Sequence, residues 1–232
     1  KTAASGGDSG IALTLDARLA AKLGDEGYVL SVTKKGVTIQ AATEAGGFYG
    51  IQTLRQLLPP EIYADKKVKG VAWIIPCVEI TDRPRFEWRG MHLDVARHYM
   101  PPDFIRKYID LMAIHKLNRF HLHLTDNQGW RIEIKKYPEL TEKGSSGSHS
   151  GSYGKPMFYT QDEMRKIVAY AAQRHIIVIP EIETPGHSRA VCGVRREWSG
   201  GRCLNLQEPT ILAFHDIFKE VMDVFPGPYL HI

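Results

Sequence analysis

The sequence predicts an α/β protein in which a small α+β unit precedes a longer region of alternating strands and helices. Residues 27–40, GYVLSVTKKGVTIQ, alternate apolar and polar side chains around a Lys-Lys-Gly turn, which is typical of a β-hairpin. From residue 89 onward, short apolar runs alternate with amphipathic helical patterns. Prolines and charges between residues 76 and 85 indicate a boundary, and we predict domains spanning residues 1–80 and 81–232.

The first region also contains one helical pattern and a further strand pattern. Residues 46–61, GGFYGIQTLRQLLPPE, predict a glycine-rich entry into a helix that Pro59 and Pro60 end. The expected apolar face of this helix carries Ile51, Leu54, Leu57 and Leu58. Residues 73–82, WIIPCVEITD, predict a strand.

The second region repeats a strand–helix pattern. The strand patterns are RGMHLDVA (89–96), RFHLHLTD (119–126), IIVIPEIE (176–183) and YLHI (229–232). The helical patterns between them cover residues 102–116, 160–175 and 208–225. Such alternation implies parallel strands with helical crossovers, in either a doubly wound sheet or half of an eight-stranded barrel.

Two of these helices have predicted buried faces. Thr160 and Glu163 form a capping-box pattern at the start of one helix. The apolar stripe predicted for that helix is Met164, Ile167, Val168 and Ala171. The stripe predicted for the last helix is Ile211, Phe214, His215, Phe218, Val221, Met222 and Phe225.

Composition and charge exclude several classes of partner. The 232 residues are 43% hydrophobic and 24% charged, which is ordinary for a globular protein. The 30 basic and 26 acidic residues give a formal charge of +4 without a block of like charges, so we expect neither nucleic acid nor membrane as a partner. No apolar run approaches the roughly 20 residues of a membrane helix, and the start, KTAASGGDSG, lacks a signal-peptide pattern.

The three cysteines do not define a metal site. Cys77, Cys192 and Cys203 have no zinc-like spacing, and any one disulfide leaves a thiol unpaired. Cys192 and Cys203 flank a loop-like stretch, so a disulfide in an oxidising compartment and two free thiols both remain open.

Polar residues interrupt strands that should be apolar on both faces. Their pairs have a spacing of two, which places each pair on one face: His92 with Asp94, His121 with His123, and Glu181 with Glu183. A satisfied hydrogen-bond network is the favoured interpretation. A metal site is the alternative, although the spacing matches no specific ligand motif.

The carboxyl ends of the strands carry the strongest candidate site. DVAR, LTDNQGW and EIETPGH place Arg97, Asp126 and His187 at the edge where α/β proteins form their sites. A guanidinium has forked donors suited to vicinal hydroxyls, and a carboxylate beside an imidazole fixes its tautomer. The alternative interpretations are an Arg97 that neutralises Asp94, an Asp126 that caps a loop, and a His187 that serves a turn.

Four stretches together resemble a known family. FYGIQTLRQLL, WRGMHLDVARHYM, HKLNRFHLHLTDNQGWRIEI and IIVIPEIETPGHS are similar to glycoside hydrolase family 20 β-N-acetylhexosaminidases, over residues 27–232. The resemblance implies a small α+β accessory domain and the first half of a (β/α)8 TIM barrel. It also implies an enzyme that removes terminal β-linked N-acetylglucosamine or N-acetylgalactosamine, without metal or organic cofactor. An exported, secreted or periplasmic location is expected, with the signal peptide absent from this chain.

The resemblance also assigns roles to residues. Arg97 is expected to hold the 3- and 4-hydroxyls of the terminal sugar, while Asp126 and His187 support the catalytic glutamate. Asn127 and Glu183 stand where aspartates are frequent, and we interpret both as variation that leaves the site residues untouched.

The mechanism implied is substrate-assisted: the acetamide oxygen of the sugar attacks the anomeric carbon. An adjacent Asp-Glu pair orients the acetamide and protonates the leaving oxygen. We expect that pair directly beyond YLHI, outside this chain, so that the 232 residues alone are inactive. The alternatives are a non-catalytic glycan-binding or assembly module and, less favoured, a metal-dependent hydrolase.

Overall fold

The computed structural model describes residues 10–232, which divide into two compact units, one that ends at residue 87 and one that covers residues 88–232. Most of the amino-terminal stretch without a signal-peptide pattern lies outside the described residues. Among the described residues, no helix is both long enough and apolar enough to cross a bilayer.

The first unit is a four-stranded sheet with one principal helix. Its elements are β1 (Gly10–Leu15), α1 (Ala20–Leu23), β2 (Tyr28–Thr33), β3 (Gly36–Ala41), α2 (Glu44–Gln56) and β4 (Val78–Asp82). The strand order is β1-β3-β2-β4, with β1 parallel to β3 and the other pairs antiparallel. The predicted hairpin is therefore confirmed as β2 and β3. The sequence prediction missed β1, whose six residues are all exposed.

Glycines let α2 lie close to the sheet. A β-carbon on Gly50 would approach Ile39 Cγ2 to 2.6 Å, so that position has no room for a larger residue. The buried face of the helix accordingly includes Tyr49 and Leu54, together with the glycines. The predicted apolar face is only partly correct, because Ile51 is exposed. The sequence predicts that the glycines form the entry to the helix, whereas in the structure Gly46, Gly47 and Gly50 lie on its buried face.

The second unit is built on three parallel strands. Its elements are β5 (Gly90–Asp94), α3 (Pro102–Ile114), β6 (Arg119–His123), α4 (Glu139–Glu142), β7 (Gly147–Ser148), β8 (Gly151–Ser152), α5 (Gln161–Ala172), β9 (Ile177–Glu181), α6 (Arg189–Val194) and α7 (Glu208–Val224). The strand order is β5-β6-β9, with both pairs parallel. The predicted strand at 229–232 contributes a single parallel bridge between Glu181 and His231.

The helices lie where the sequence predicts them, but some residues that were expected to face the core are exposed. The capping box of Thr160 and Glu163 is present at α5, whose buried residues include Met164, Ile167 and Ala171. In α7 the predicted stripe is wrong in part. The residues that this helix buries are Thr210, Ala213, Phe214, Ile217, Val221 and Val224. Ile211 and Met222 are more than half exposed, since the helix has more apolar residues than one face can bury.

Cys192 and Cys203 are free thiols in the structure, as is the exposed Cys77. Burial raises the pKa of the Cys192 thiol.

A buried guanidinium joins the end of β5 to the segment that contains β7 and β8. Arg131 is fully buried and donates hydrogen bonds to five backbone carbonyl oxygens and, within residues 10–232, to no carboxylate. Those acceptors are Val95 (3.0 Å), Ala96 (2.6 Å), Gly147 (2.6 Å), Met157 (3.1 Å) and Ser145. Burial lowers the pKa of Arg131 from its ordinary high value, and the five acceptors compensate by solvating the cation.

We predict that Arg131→Met destabilises the chain by at least about 3 kcal/mol, because it leaves buried carbonyls without donors. The measurement is urea unfolding, monitored through tryptophan fluorescence and circular dichroism. Arg165→Met is the matched control, since Arg165 lies on the surface and pairs with the exposed Asp162. Equal stability of the two variants would contradict this account of Arg131.

Candidate active site at the carboxyl ends of the strands

The register of the three parallel strands gathers the polar side chains. Asp94, His123 and Glu181 lie level on β5, β6 and β9. His92 and His121 lie level two residues earlier. Side chains that are far apart in sequence therefore meet inside the sheet, as the spacing of two predicts.

Glu181 is the acceptor for most of these histidines. Its Oε2 atom lies 2.6 Å from His121 Nε2 and 2.6 Å from His123 Nδ1. Its Oε1 atom lies 3.0 Å from His231 Nδ1, and His92 Nε2 is 3.9 Å from Oε2. Burial raises the pKa of Glu181, but the hydrogen bond from His123 and the neighbouring imidazoles outweigh burial and hold it below its ordinary value. The predicted hydrogen-bond network is confirmed.

Asp126 is the buried carboxylate of the candidate site. It is 1% exposed, and its Oδ2 atom lies 2.7 Å from Arg97 Nη2 and 2.9 Å from His123 Nε2. Its Oδ1 atom accepts a hydrogen bond of 2.6 Å from the amide of Asn127. Arg97 and Asp126, which the sequence placed after different strands, are therefore in direct contact.

Arg97 lies between two carboxylates. Besides Asp126, its Nη1 atom donates to Asp94 Oδ2 at 2.5 Å. Burial raises the pKa of Asp94, but hydrogen bonds from the amide and guanidinium of Arg97 outweigh it, so that this pKa lies below its ordinary value. The interpretation in which Arg97 neutralises Asp94 is thus correct, and it holds together with the contact to Asp126.

The main chain around Arg97 is held from two directions. Arg131 binds the carbonyls of Val95 and Ala96, and the amide of His149 donates to the Arg97 carbonyl at 2.8 Å. The guanidinium of Arg97 therefore extends from an anchored backbone, while 37% of its side chain remains accessible.

His187 lies at the same edge but has a different main partner. Its Nδ1 atom is 2.8 Å from Glu183 Oε1 and 3.6 Å from Asp126 Oδ2. The hydrogen bond to Glu183 and the charge of Asp126 raise the pKa of His187. His187 has a φ of 47°, in the left-handed region that histidine adopts more readily than most side chains.

The structure corrects our interpretation of Glu183 as variation that leaves the site residues untouched, because its side chain is the hydrogen-bond partner of His187. Asn127 contacts Asp126 only through its backbone N–H, and its side-chain oxygen accepts from the backbone N–H of Arg189, so the interpretation of Asn127 as variation stays a prediction. Sequence reasoning also missed His123 as a neighbour of Asp126. The two residues are only three positions apart, but this spacing predicts a contact weakly, because His123 ends β6 and Asp126 lies in the loop that follows.

Two clusters bring together the side chains that bind metals: His92, His121 and Glu181, and His123, Asp126 and Glu183. Ligands of a tetrahedral zinc ion, each at 2.0–2.2 Å, lie roughly 3.3 Å from one another. The 2.6 Å contacts of Glu181 with His121 and His123 instead have the length of hydrogen bonds. In the second cluster, the guanidinium of Arg97 already neutralises Asp126. The donor sets fit a hydrogen-bond network better than a metal centre.

Comparison with known proteins identifies the family. The family model described as glycosyl hydrolase family 20, catalytic domain, matches residues 86–232, and that of glycosyl hydrolase family 20, domain 2, matches residues 1–83. The chain belongs to glycosyl hydrolase family 20. Among its relatives, a beta-hexosaminidase of Porphyromonas gingivalis is 43% identical over 97% of this chain, and one of Akkermansia muciniphila is 38% identical over 89%.

Solved structures of family members confirm the fold. A mutant Streptomyces plicatus beta-hexosaminidase in complex with product (GlcNAc) is 40% identical, with a TM-score of 0.90 over 98% of this chain. The β-N-acetylhexosaminidase of Streptomyces coelicolor is 38% identical, with a TM-score of 0.89. The chain is thus a mixed α/β protein, in which the family's second domain precedes the start of a TIM-barrel catalytic domain.

The chain spans only part of these proteins. It covers 31% of the Porphyromonas gingivalis relative and 44% of the Akkermansia muciniphila relative. It covers 47% of the Streptomyces plicatus chain.

We predict that Glu183→Gln lowers the pKa of His187 towards the ordinary histidine value of about 6.5, because the substitution removes the nearest negative charge. The measurement is an NMR titration of the His187 ring, assigned with His187→Asn. Glu142→Gln, a surface substitution on α4, is the control. A His187 pKa that is equal in the Glu183→Gln variant and the wild type would identify Asp126 as the charge that matters.

Proposed function

We propose that this chain is the front portion of an exo-acting β-N-acetylhexosaminidase, which removes terminal β-linked N-acetylglucosamine or N-acetylgalactosamine from glycans. The geometric observation that carries the proposal is the meeting of side chains from three strand ends around one carboxylate oxygen, Asp126 Oδ2. Arg97 lies 2.7 Å from that atom and His187 lies 3.6 Å from it. Membership of family 20, and the relatives named beta-hexosaminidase, support the substrate class.

The proposed reaction is substrate-assisted hydrolysis with retention. The acetamide oxygen of the sugar attacks the anomeric carbon as the glycosidic bond breaks, and a glutamic acid protonates the leaving oxygen. Water then attacks the anomeric carbon and restores the acetamide, while the glutamate recovers its proton. We place that glutamate and its neighbouring aspartate in the stretch of the protein that follows Ile232.

Arg97 is proposed to bind the 3- and 4-hydroxyls of the terminal sugar. The contacts with Asp94 and Asp126 use two of the five N–H donors of its guanidinium. Two carboxylates also neutralise its charge. A neutral polyol therefore suits the remaining donors better than a phosphate or a sugar acid, which would have to compete with both carboxylates.

Asp126 and His187 are proposed to support the general acid. His187 is exposed and turned towards the strand edge, while Asp126 is buried behind it. A protonated or polarised imidazole next to a glutamic acid influences both the orientation and the pKa of that glutamic acid. Glu183 joins this pair, because it raises the pKa of His187 directly.

An exported location, secreted or periplasmic, is part of the proposal. The proposed partner is a glycan that ends in an N-acetylhexosamine, the substrate class that the relatives named beta-hexosaminidase support.

We predict that the 232-residue chain alone does not hydrolyse an aryl β-N-acetylglucosaminide, whereas a longer protein with the complete catalytic domain, including the Asp-Glu pair, does. Loss of general acid assistance alone lowers a rate by about 10² to 10⁴. The assay is release of the aryl alcohol by both purified proteins. Turnover by the shorter chain would refute the assignment of the acid, and glycan binding without turnover by the longer protein would favour a non-catalytic glycan-binding module.

In the longer protein, we predict different kinetic effects for Arg97 and His187. Arg97→Ala should raise KM and lower kcat/KM by about 30-fold or more, the equivalent of at least about 2 kcal/mol, and Arg97→Lys should not restore activity. His187→Ala should lower kcat and displace the acid limb of the pH profile with little change in KM.

Steady-state kinetics across pH, with thermal melts to exclude unfolding, make this comparison. Arg106→Ala, on the surface of α3, is the control. Wild-type kinetics of the Arg97→Ala variant would leave Arg97 as a structural partner of Asp94 alone.

A further inference from the structure

His123 is a buried imidazole whose two ring nitrogens both face carboxylates. Nδ1 lies 2.6 Å from Glu181 Oε2, and Nε2 lies 2.9 Å from Asp126 Oδ2. The residue is 4% exposed, Asp126 is 1% exposed and Glu181 is 6% exposed. The three groups form a continuous chain from the interior of the sheet to the candidate active site.

The number of protons in this chain follows from its geometry. A neutral imidazole carries one N–H, so it can donate to only one of two carboxylates. The other ring nitrogen would then place its lone pair against a carboxylate oxygen at hydrogen-bond distance, and two buried acceptors would face each other without a proton. An imidazolium donates at both ends and satisfies both contacts.

The charges that face His123 favour the cation. Four carboxylates lie near it, those of Asp94 on β5, Glu181 on β9, Asp126 in the loop after β6 and Glu183 after β9, whereas Arg97 pairs with two of them, Asp94 and Asp126. The ionisable groups around the ring are Asp94, Asp126, Glu181, Glu183, Arg97, His92 and His121. Burial lowers the pKa of the neighbouring His121, so that this imidazole adds little competing positive charge.

We propose that His123 is an imidazolium clamped between Glu181 and Asp126, and that it acts as a positioning residue for Asp126. Asp126 Oδ2 then lies between two cations, Arg97 on the accessible side and His123 on the buried side. An oxygen held in this way has a fixed position and a low affinity for a proton, because both neighbouring positive charges stabilise the ionised carboxylate. Asp126 therefore serves His187 as a fixed negative charge and does not take its proton.

The consequence for catalysis rests on the proposed function, but the protonation state of His123 does not. The first experiment accordingly uses the 232-residue chain and requires no turnover. The protein is labelled with ¹⁵N-histidine, and the ring nitrogens of its ten histidines are recorded by long-range ¹H–¹⁵N correlation at about pH 8, well above the ordinary histidine pKa of about 6.5. His123→Asn assigns the signal, and His215→Asn identifies an exposed reference histidine on α7.

At that pH, we expect His123 to show two protonated nitrogens, while His215 shows one protonated and one bare nitrogen. In the Glu181→Gln variant, we expect one ring nitrogen of His123 to lose its proton at the same pH, because the substitution removes one of the two flanking charges. A neutral pattern for His123 in the folded wild-type protein would overturn the proposal and place the shared proton elsewhere. Circular dichroism verifies the fold of each variant, and the wild-type spectrum alone decides the protonation state.

The second experiment tests the positioning role in the longer protein. Glu181→Gln, which changes no atom in contact with Asp126, should lower kcat/KM and shift the pH profile by weakening the clamp on His123. An unchanged pH profile, in an enzyme whose His123 is an imidazolium by NMR, would overturn the positioning role. Absence of hydrolysis by the wild-type protein would refute the proposed function and leave the NMR result intact.

Discussion

The arrangement of the candidate site depends on one oxygen atom, Oδ2 of Asp126. It accepts from a guanidinium that follows β5 and from an imidazole on β6, and it lies 3.6 Å from an imidazole that follows β9. Because the carboxylate is buried, each contact has little competition from water, and the loss of one partner would change the balance at the others. The three strand ends are thus joined through a charge as well as through the backbone hydrogen bonds of the sheet.

Asp126 Oδ2 contacts these partners because the register of the sheet aligns the ends of β5, β6 and β9. Parallel pairing sets Asp94, His123 and Glu181 in one row, and His92 with His121 in the row before it. A shift of one residue in any strand would turn its polar side chains to the other face, against the helices. Polar side chains inside the sheet therefore require a unique register, and the hydrogen bonds that they form in that register compensate for their burial.

The sequence predicted the elements better than the contacts between them. Local signals are strong in this chain: the hairpin, the capping box of α5 and the strand–helix alternation are all visible in short windows and all confirmed. The buried face of α7 could not be chosen, since its apolar residues extend around more than one side. The contact of His123 with Glu181 also escaped prediction, because it depends on a distance between chain segments that no periodicity encodes. The pairing of Glu183 with His187 is local, but it depends on the conformation of the turn between them, which lies outside any regular element.

The hydrogen bonds of Arg131 have a consequence for how this part of the protein tolerates change. All five acceptors are main-chain oxygens, so the guanidinium recognises the path of the backbone and not the identity of the residues along it. Exposed side chains between Ser145 and Met157, such as those of Ser150 and Lys155, can therefore change while the anchor of this segment to the strand end persists, whereas Gly147 has no room for a side chain. For protein engineers, the exposed positions of this segment are a natural place for a randomised library beside Arg97, with Arg131 kept constant.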